Sequence, residues 1–213
     1  MSESISTIAF LTMSGGLQDA YSYCARGKVF ANAQTGNLVL MSAHFFEGQW
    51  LAGIRYLIPL LSFACGVFSA ELVRKHFQTL QTVHWRQLTI CIEILLLLLV
   101  GFMPERMNPL ANAITSFACA IQVQTFRKLN GRPFASTMCI GNIRSGTEAL
   151  YACLHTKNRQ DLQAAREYFG VIGLFALGAG IGARLTSLLG SCAIWGCCGL
   201  LLVSFLLMFI PET

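Results

Sequence analysis

Residues 18–37 read QDAYSYCARGKVFANAQTGN, and residues 122–142 read QVQTFRKLNGRPFASTMCIGN. Laid over each other at an offset of 104, Gln18 meets Gln122, Gly27 meets Gly131, Lys28 meets Arg132 and Phe30 meets Phe134. One inserted residue later, Gly36-Asn37 meets Gly141-Asn142. Farther on, Ala64, Gly66 and Ala70 resemble Ala176, Gly178 and Gly182, and Pro104 and Pro211 close the two halves. Each match alone is cheap. In order, and spaced by half the chain, they argue for an ancestral duplication, with one repeat over residues 1–106 and a second over 107–213. Shared helix-breaker chemistry without duplication is the competing explanation.

Composition says where such repeats would live. Of 213 residues, 54% are hydrophobic and only 12% charged, about half the charge of an ordinary soluble domain. The apolar residues gather in six blocks, about 7–25, 51–73, 85–103, 109–127, 167–188 and 191–210. Each is long enough to cross about 30 Å of hydrocarbon at about 1.5 Å per residue. Trp50 and Trp85 sit at block edges, as interfacial anchors do. The spacing predicts an all-α polytopic transmembrane bundle. Gly190 separates the last two blocks tightly enough to predict a helical hairpin, and 155–166 is the longest expected loop. The first block lacks a preceding Lys or Arg, so it reads as a retained span rather than a cleaved signal.

Two further segments, 29–46 and 134–154, are long enough to cross but too polar to face lipid. They survive at depth only when protein or a water-filled cavity surrounds them. Either they are re-entrant, giving six full spans, or they cross as buried broken helices, giving eight. With six spans the Lys and Arg residues split ten to five in favour of the side holding both termini; with eight the split is nine to six, with the termini outside. The positive-inside bias favours six spans with both termini cytoplasmic. Three spans per half is an odd number, so the second half would enter the membrane inverted, a recurrent plan of secondary transporters. The two Gly-Asn segments are then expected to meet from opposite leaflets around a shared polar hollow.

The stretch GGLQDAYSY…GKVFANAQTGN, residues 15–37, resembles the signature of the YoaK-like bacterial membrane proteins, and the likeness extends over nearly the whole chain. The resemblance implies six spans in the bacterial inner membrane and supplies no substrate. In the second half, Ile140 stands where a Thr is expected before Gly141, and Val123 where a polar residue commonly follows the Gln.

Several polar residues within apolar blocks are candidates for chemistry. Asp19, beside Gln18 in the first block, offers a cation site, a proton carrier or a hold on a basic substrate. Its bland alternative is a structural pair with Arg26 or Lys28. Thr35-Gly36-Asn37 breaks a helix while offering donors and acceptors, and a helix N-terminus opened there favours an anionic group; the alternative is a simple N-cap. Gln122, Gln124, Gly141 and Asn142 mirror these positions and complete the expected substrate-binding set. Glu93 lies roughly 12 Å beyond Trp85, too deep to snorkel, and must be paired, protonated or facing water. With Asp19 it is a candidate for proton coupling, against the alternative of a helix–helix hydrogen bond. Arg144 and Glu148, four residues apart, read as a structural ion pair. Gly178, Gly180 and Gly182 form a small-residue face for close helix approach.

The leading function is a secondary transporter or permease of a small solute. A non-transporting scaffold or sensor is the second reading. An enzyme is disfavoured because the four histidines lie near the ends of apolar blocks, and no paired metal motif is seen. No P-loop offers direct ATP drive, and neither a cofactor nor a metal is expected. Most of the nine cysteines fall inside apolar blocks and read as small helix-contact fillers. The basic residues sit in short clusters between blocks rather than on one continuous face, which disfavours nucleic acid. The expected partners are the lipid bilayer and a small solute, with a homo-oligomer left open.

Overall fold

The computed structural model describes residues 4–77, 85–130 and 132–209; the matches at Gly131 and Pro211 lie outside them. Eight α-helices dominate the described residues: α1 (Ile5–Ala25), α2 (Gln34–Phe46), α3 (Trp50–Phe77), α4 (Trp85–Gly101), α5 (Asn108–Thr125), α6 (Cys139–Thr156), α7 (Arg159–Leu189) and α8 (Trp195–Leu207). A two-residue ladder, β1 (Lys128–Leu129) against β2 (Arg132–Pro133), was not expected and closes the turn after α5. The chain is a helical bundle.

Local chemistry explains the helix ends. Ser4 caps α1 by accepting from the Thr7 amide, and Gly27, at φ +87°, lets the chain turn away at its far end. Asn158 caps α7 through the Gln160 amide at 2.9 Å. That cap corrects the expected 155–166 loop: the polar turn from Arg159 to Arg166 is the start of α7, reaching beyond its apolar stretch. Gly190, at φ +56°, ends α7. The chain reverses there as expected, with α8 running back along α1 antiparallel to α7. A 3-10 segment, Gly190–Ile194, swings α8 aside, so beyond Leu185 and Gly196 next to the turn, α7 and α8 pack chiefly on α1.

Contacts along the helices give their directions. α1 and α5 are antiparallel, because Gln122 Nε2 donates to the Leu11 carbonyl at 3.1 Å while Asn112 Nδ2 donates to the Arg26 carbonyl at 2.8 Å. α4 and α8 are antiparallel too: Cys198 sits on the Ile94 carbonyl and Trp195 on the Leu98 carbonyl. α7 runs parallel to α1, with Gly178 against Met13 and Gly182 against Leu17. α3 runs parallel to α5, with Gly66 against Phe117. Met13 and Phe117 are themselves 104 residues apart. The same glycine-on-backbone contact therefore occurs once in each half, and each half's third helix packs on the other half's first. Such close approach needs residues without side chains. A Cβ on Gly66 would fall 2.6 Å from the Phe117 carbonyl oxygen, and one on Gly178 would overlap the Met13 carbonyl oxygen. Gly180 is different, since nothing lies within 4 Å of its Cβ position.

α2 and α6 do not run from end to end. From the far end of α1, residues 29–33 lead inward until Asn32 Nδ2 reaches the Gly15 carbonyl at 3.2 Å, midway along α1. α2 then returns towards the start of α3, where Arg55 lines a cavity with Arg26. From the opposite end, residues 134–138 lead inward until Thr137 also meets Gly15. α6 then returns to the start of α7, beside the β ladder, where Arg132 pairs with Glu167 at 2.9 Å.

The core lies between α1, α4, α5 and α8, around Leu11, Leu17, Ile90, Leu97, Ala118 and Leu201. Outside it the surface is strongly apolar, with Leu61, Phe68, Leu95 and Leu206 all more than half exposed. Among the described residues, two helical stretches are long and apolar enough to cross a membrane, Trp50–His76 and Arg159–Leu207, the second comprising α7, the break at Gly190 and α8. Only 22% and 33% of their apolar windows are buried inside the protein, unlike the core helix of a soluble domain.

The glycine contacts predict opposite effects from one substitution two residues apart. Gly178→Ala should lose about 1–3 kcal/mol of stability by overpacking, whereas Gly180→Ala should gain up to about 1 kcal/mol from helix propensity. Unfolding of the detergent-purified variants measures both; equal effects would contradict the packing described.

Candidate functional site

The middle of α1 gathers polar side chains from four helices. Gln18 Nε2 donates to Glu93 Oε1 on α4 at 3.0 Å and to Ser14 Oγ at 3.2 Å. Gln18 Oε1 accepts from the Cys119 thiol on α5, and the Cys197 thiol on α8 lies 3.7 Å from the Ser14 backbone carbonyl. Glu93 is 1% exposed, so the amide of Gln18 is what meets this acid in the interior. Two sequence candidates, Gln18 and Glu93, are thus brought together across 75 residues.

Asp19 points the other way. Its carboxylate accepts from the Asn32 amide at 2.7 Å, and the amides of Ala31 and Ala33 also face it. Next to it, Ser22 Oγ accepts from the Ala31 amide at 3.0 Å. The reason lies in α2, whose N-cap residue is Ala33, with no side chain able to accept a hydrogen bond. The amides just before α2, those of Ala31, Asn32 and the N-cap Ala33, need an acceptor in the interior, and the positive end of the helix dipole favours an anion there. Asp19 is that anion, supplied by the chain itself. Arg26 is not its partner; that guanidinium is committed to Tyr21 and to carbonyls at the end of α4. At the matching place in the second half stands Val123, buried and unable to accept. There the lead-in is held instead by Gln122, whose Nε2 donates to Ser136 Oγ at 3.1 Å.

The two Gly-Asn motifs have matching jobs. Asn37 accepts from the Phe30 amide at 3.0 Å and donates to the Phe30 carbonyl at 2.7 Å. Asn142 donates to the Ala135 carbonyl at 2.8 Å. Each reaches back seven residues to clip its own lead-in to the first turn of the helix that follows. Neither is an N-cap, since those places belong to Ala33 and Met138. Gly36 leaves room for the Phe30 ring, whose edge would lie 3.1 Å from a Cβ there. Thr35 and Gly141 are exposed on the outer side of α2 and α6.

What meets at the centre is therefore four residues before the glycine of each Gly-Asn pair: Asn32 and Thr137, both on Gly15. Asn32 and Ser136 are 104 residues apart, in FAN and FAS, so the repeat register pointed to them. Cys119 carried no such signal. Gln124 lies elsewhere, at the far end of α5, where it donates to Glu71 beside Arg127 at 3.1 Å from the same carboxylate. Arg144 and Glu148 do form an ion pair, at 2.9 Å, on the exposed face of α6. Several buried polar atoms near the centre have no protein partner: Asn32 Oδ1, Gln122 Oε1 and the hydroxyls of Thr12 and Ser116. Thr12 and Ser116 are again 104 apart.

A family model described as "Protein of unknown function (DUF1275)" matches residues 7–207. No curated protein and no solved structure matches the chain.

The Asp19 contacts predict a graded response. Asp19→Ala strands the lead-in amides and should cost about 1–3 kcal/mol of stability, while Asp19→Asn, which keeps an acceptor, should cost less. Thermal unfolding of both variants in detergent checks the order; equal losses would mean that the amide contacts are not what holds α2.

Proposed function

The chain belongs to the DUF1275 family, and from that premise we propose that it is a six-span inner-membrane secondary transporter of a small solute, built as an inverted repeat. One observation carries the reading: two non-helical arms enter the bundle from opposite ends and meet on Gly15. Irregular backbone at membrane depth is stable only inside protein or against a water-filled cavity. Broken or re-entrant elements from two inverted halves, meeting near the midplane, are the usual way transporters place a solute site.

The contact directions support the count of spans. α1, α3, α4, α5, α7 and α8 alternate in direction, while α2 leaves and returns to one end of the bundle. At about 1.5 Å per residue its 13 residues reach only about 20 Å. The antiparallel pairs α1–α5 and α4–α8 support inverted halves. The ten Lys and Arg residues nearest the termini, against five at the other end, favour a cytoplasmic location for both termini. In this reading Glu93 is the proton-coupling group, since it is the deepest acid and its Gln18 partner sits beside the meeting point. Asp19 instead holds α2 in place. No catalytic step is assigned to the chain.

Two measurements test this. In proteoliposomes, Glu93→Gln should abolish uptake driven by a pH gradient, by about tenfold or more, while leaving gradient-independent exchange in place. Unchanged driven uptake removes the coupling role, and no flux over a broad solute panel leaves the scaffold reading. For topology, single cysteines at Lys28 and Gln49 in a cysteine-free background should label from the same side of the membrane, and one at Lys128 from the other. Labelling of Lys28→Cys and Gln49→Cys from opposite sides would mean eight spans.

A further inference from the structure

Where α1 ends, Arg26 turns back into the protein and is 1% exposed. Its Nε donates to the Tyr21 hydroxyl at 2.7 Å, Nη1 to the Met103 carbonyl at 2.9 Å and Asn108 Oδ1 at 3.0 Å, and Nη2 to the Val100 carbonyl at 2.9 Å. All of these acceptors are neutral. The carbonyl ends of α1 and α4 supply a partial negative charge, but no carboxylate lies within ion-pair range of Arg26 among the described residues. A buried cation without a counter-charge is costly.

Arg26 lines a cavity of about 260 Å³, and so do Arg55 of α3 and Arg106 of the turn between α4 and α5. Both are exposed, and neither has an ion-pair partner among the described residues. Glu105 shares the rim, one carboxylate against three guanidiniums, and is not paired with any of them. Asn112 lines the same cavity at 4% exposure; its Nδ2 is used by the Arg26 carbonyl, and its Oδ1 is buried without a partner. The site therefore presents converging positive charge and one unused acceptor. A ligand with anionic oxygens and a hydroxyl satisfies both.

The opposite end of the bundle makes the contrast. The cavity there is lined by Ile5, Ile8, Leu129 and Val171, and its buried Glu167 is already met by Arg132 and Asn130, each at 2.9 Å. Arg166 also lines that cavity but is exposed; the buried charge is settled within the protein at that end and left open at the Arg26 end.

We propose that the Arg26–Arg55–Arg106 pocket binds a phosphate-type oxyanion, either free or as the headgroup of an anionic phospholipid. Arg55 and Arg106 suit this chemistry because a planar guanidinium offers paired donors to adjacent oxygens, while Arg26, its N–H groups largely committed inside the protein, contributes its charge. The inference does not depend on transport.

The test uses the full chain purified in neutral detergent, with two probes. Native mass spectrometry compares retention of phosphatidylglycerol with that of phosphatidylcholine, and thermal unfolding follows added inorganic phosphate. The wild type should hold phosphatidylglycerol in preference to phosphatidylcholine, or be stabilised by phosphate. Arg55→Gln with Arg106→Gln should weaken that binding by at least about tenfold, while Arg166→Gln at the other end should leave it unchanged. Stabilisation by phosphate identifies a free anion as the ligand; phosphatidylglycerol retention without a phosphate effect identifies a headgroup. Wild-type protein that binds neither probe selectively, or a double variant that binds as well as wild type, overturns the proposal.

Discussion

Two stretches of non-helical backbone, residues 29–33 and 134–138, reach the middle of a helical bundle, and their polar groups must be met from within. That requirement explains most of the buried polar residues. On the first arm, Asp19 and Ser22 take amides before α2, and Asn37 takes both backbone groups of Phe30. On the second, Asn142 takes the Ala135 carbonyl and Gln122 holds Ser136. Gly15 makes the meeting sterically possible, because any side chain there would collide with Thr137. Isolated backbone groups at that depth would cost several kcal/mol, so these residues are conditions of the fold before they are candidates for anything else.

The two halves share a plan and differ in charge. At the offset of 104, Asp19 corresponds to Val123, Arg26 to Asn130 and Glu93 to Cys197, so none of the three charges recurs in the second half. Backbone clips and glycine contacts recur because they hold the same geometry twice. The charged groups are not needed twice by that geometry, and their asymmetry makes the two ends chemically different. One end neutralises its buried charge internally through Glu167 and Arg132, and the other leaves Arg26 facing a cavity.

Much of this was legible in one dimension, and the reasons are physical. Five of the six apolar blocks lie within a few residues of the observed helices, because span length and apolar content are local properties. The start of α7 was missed since its first turns are polar and only the Asn158 cap announces them. The repeat register marks Phe30, Phe134, Asn37 and Asn142, but the residues that touch Gly15 are Asn32 and Thr137, whose side chains carry no matching chemistry. Gln124, read as a mirror of the Gln18 region, sits at the surface end of α5 because a helix turns about 100° per residue and only Gln122 faces α1.

Apolar block length, helix punctuation and the 104-residue echo are written in the order of the residues, and they determined a helical chain with matching segments 104 residues apart. Which polar groups meet was decided only by the tertiary structure. Gln18 finds Glu93 and Cys119 at separations of 75 and 101 residues, and Asp19 finds backbone amides, a partner that neither reading of its sequence position offered. Hydrogen bonds act over about 3 Å, and no one-dimensional pattern records which distant turns of helix will come that close.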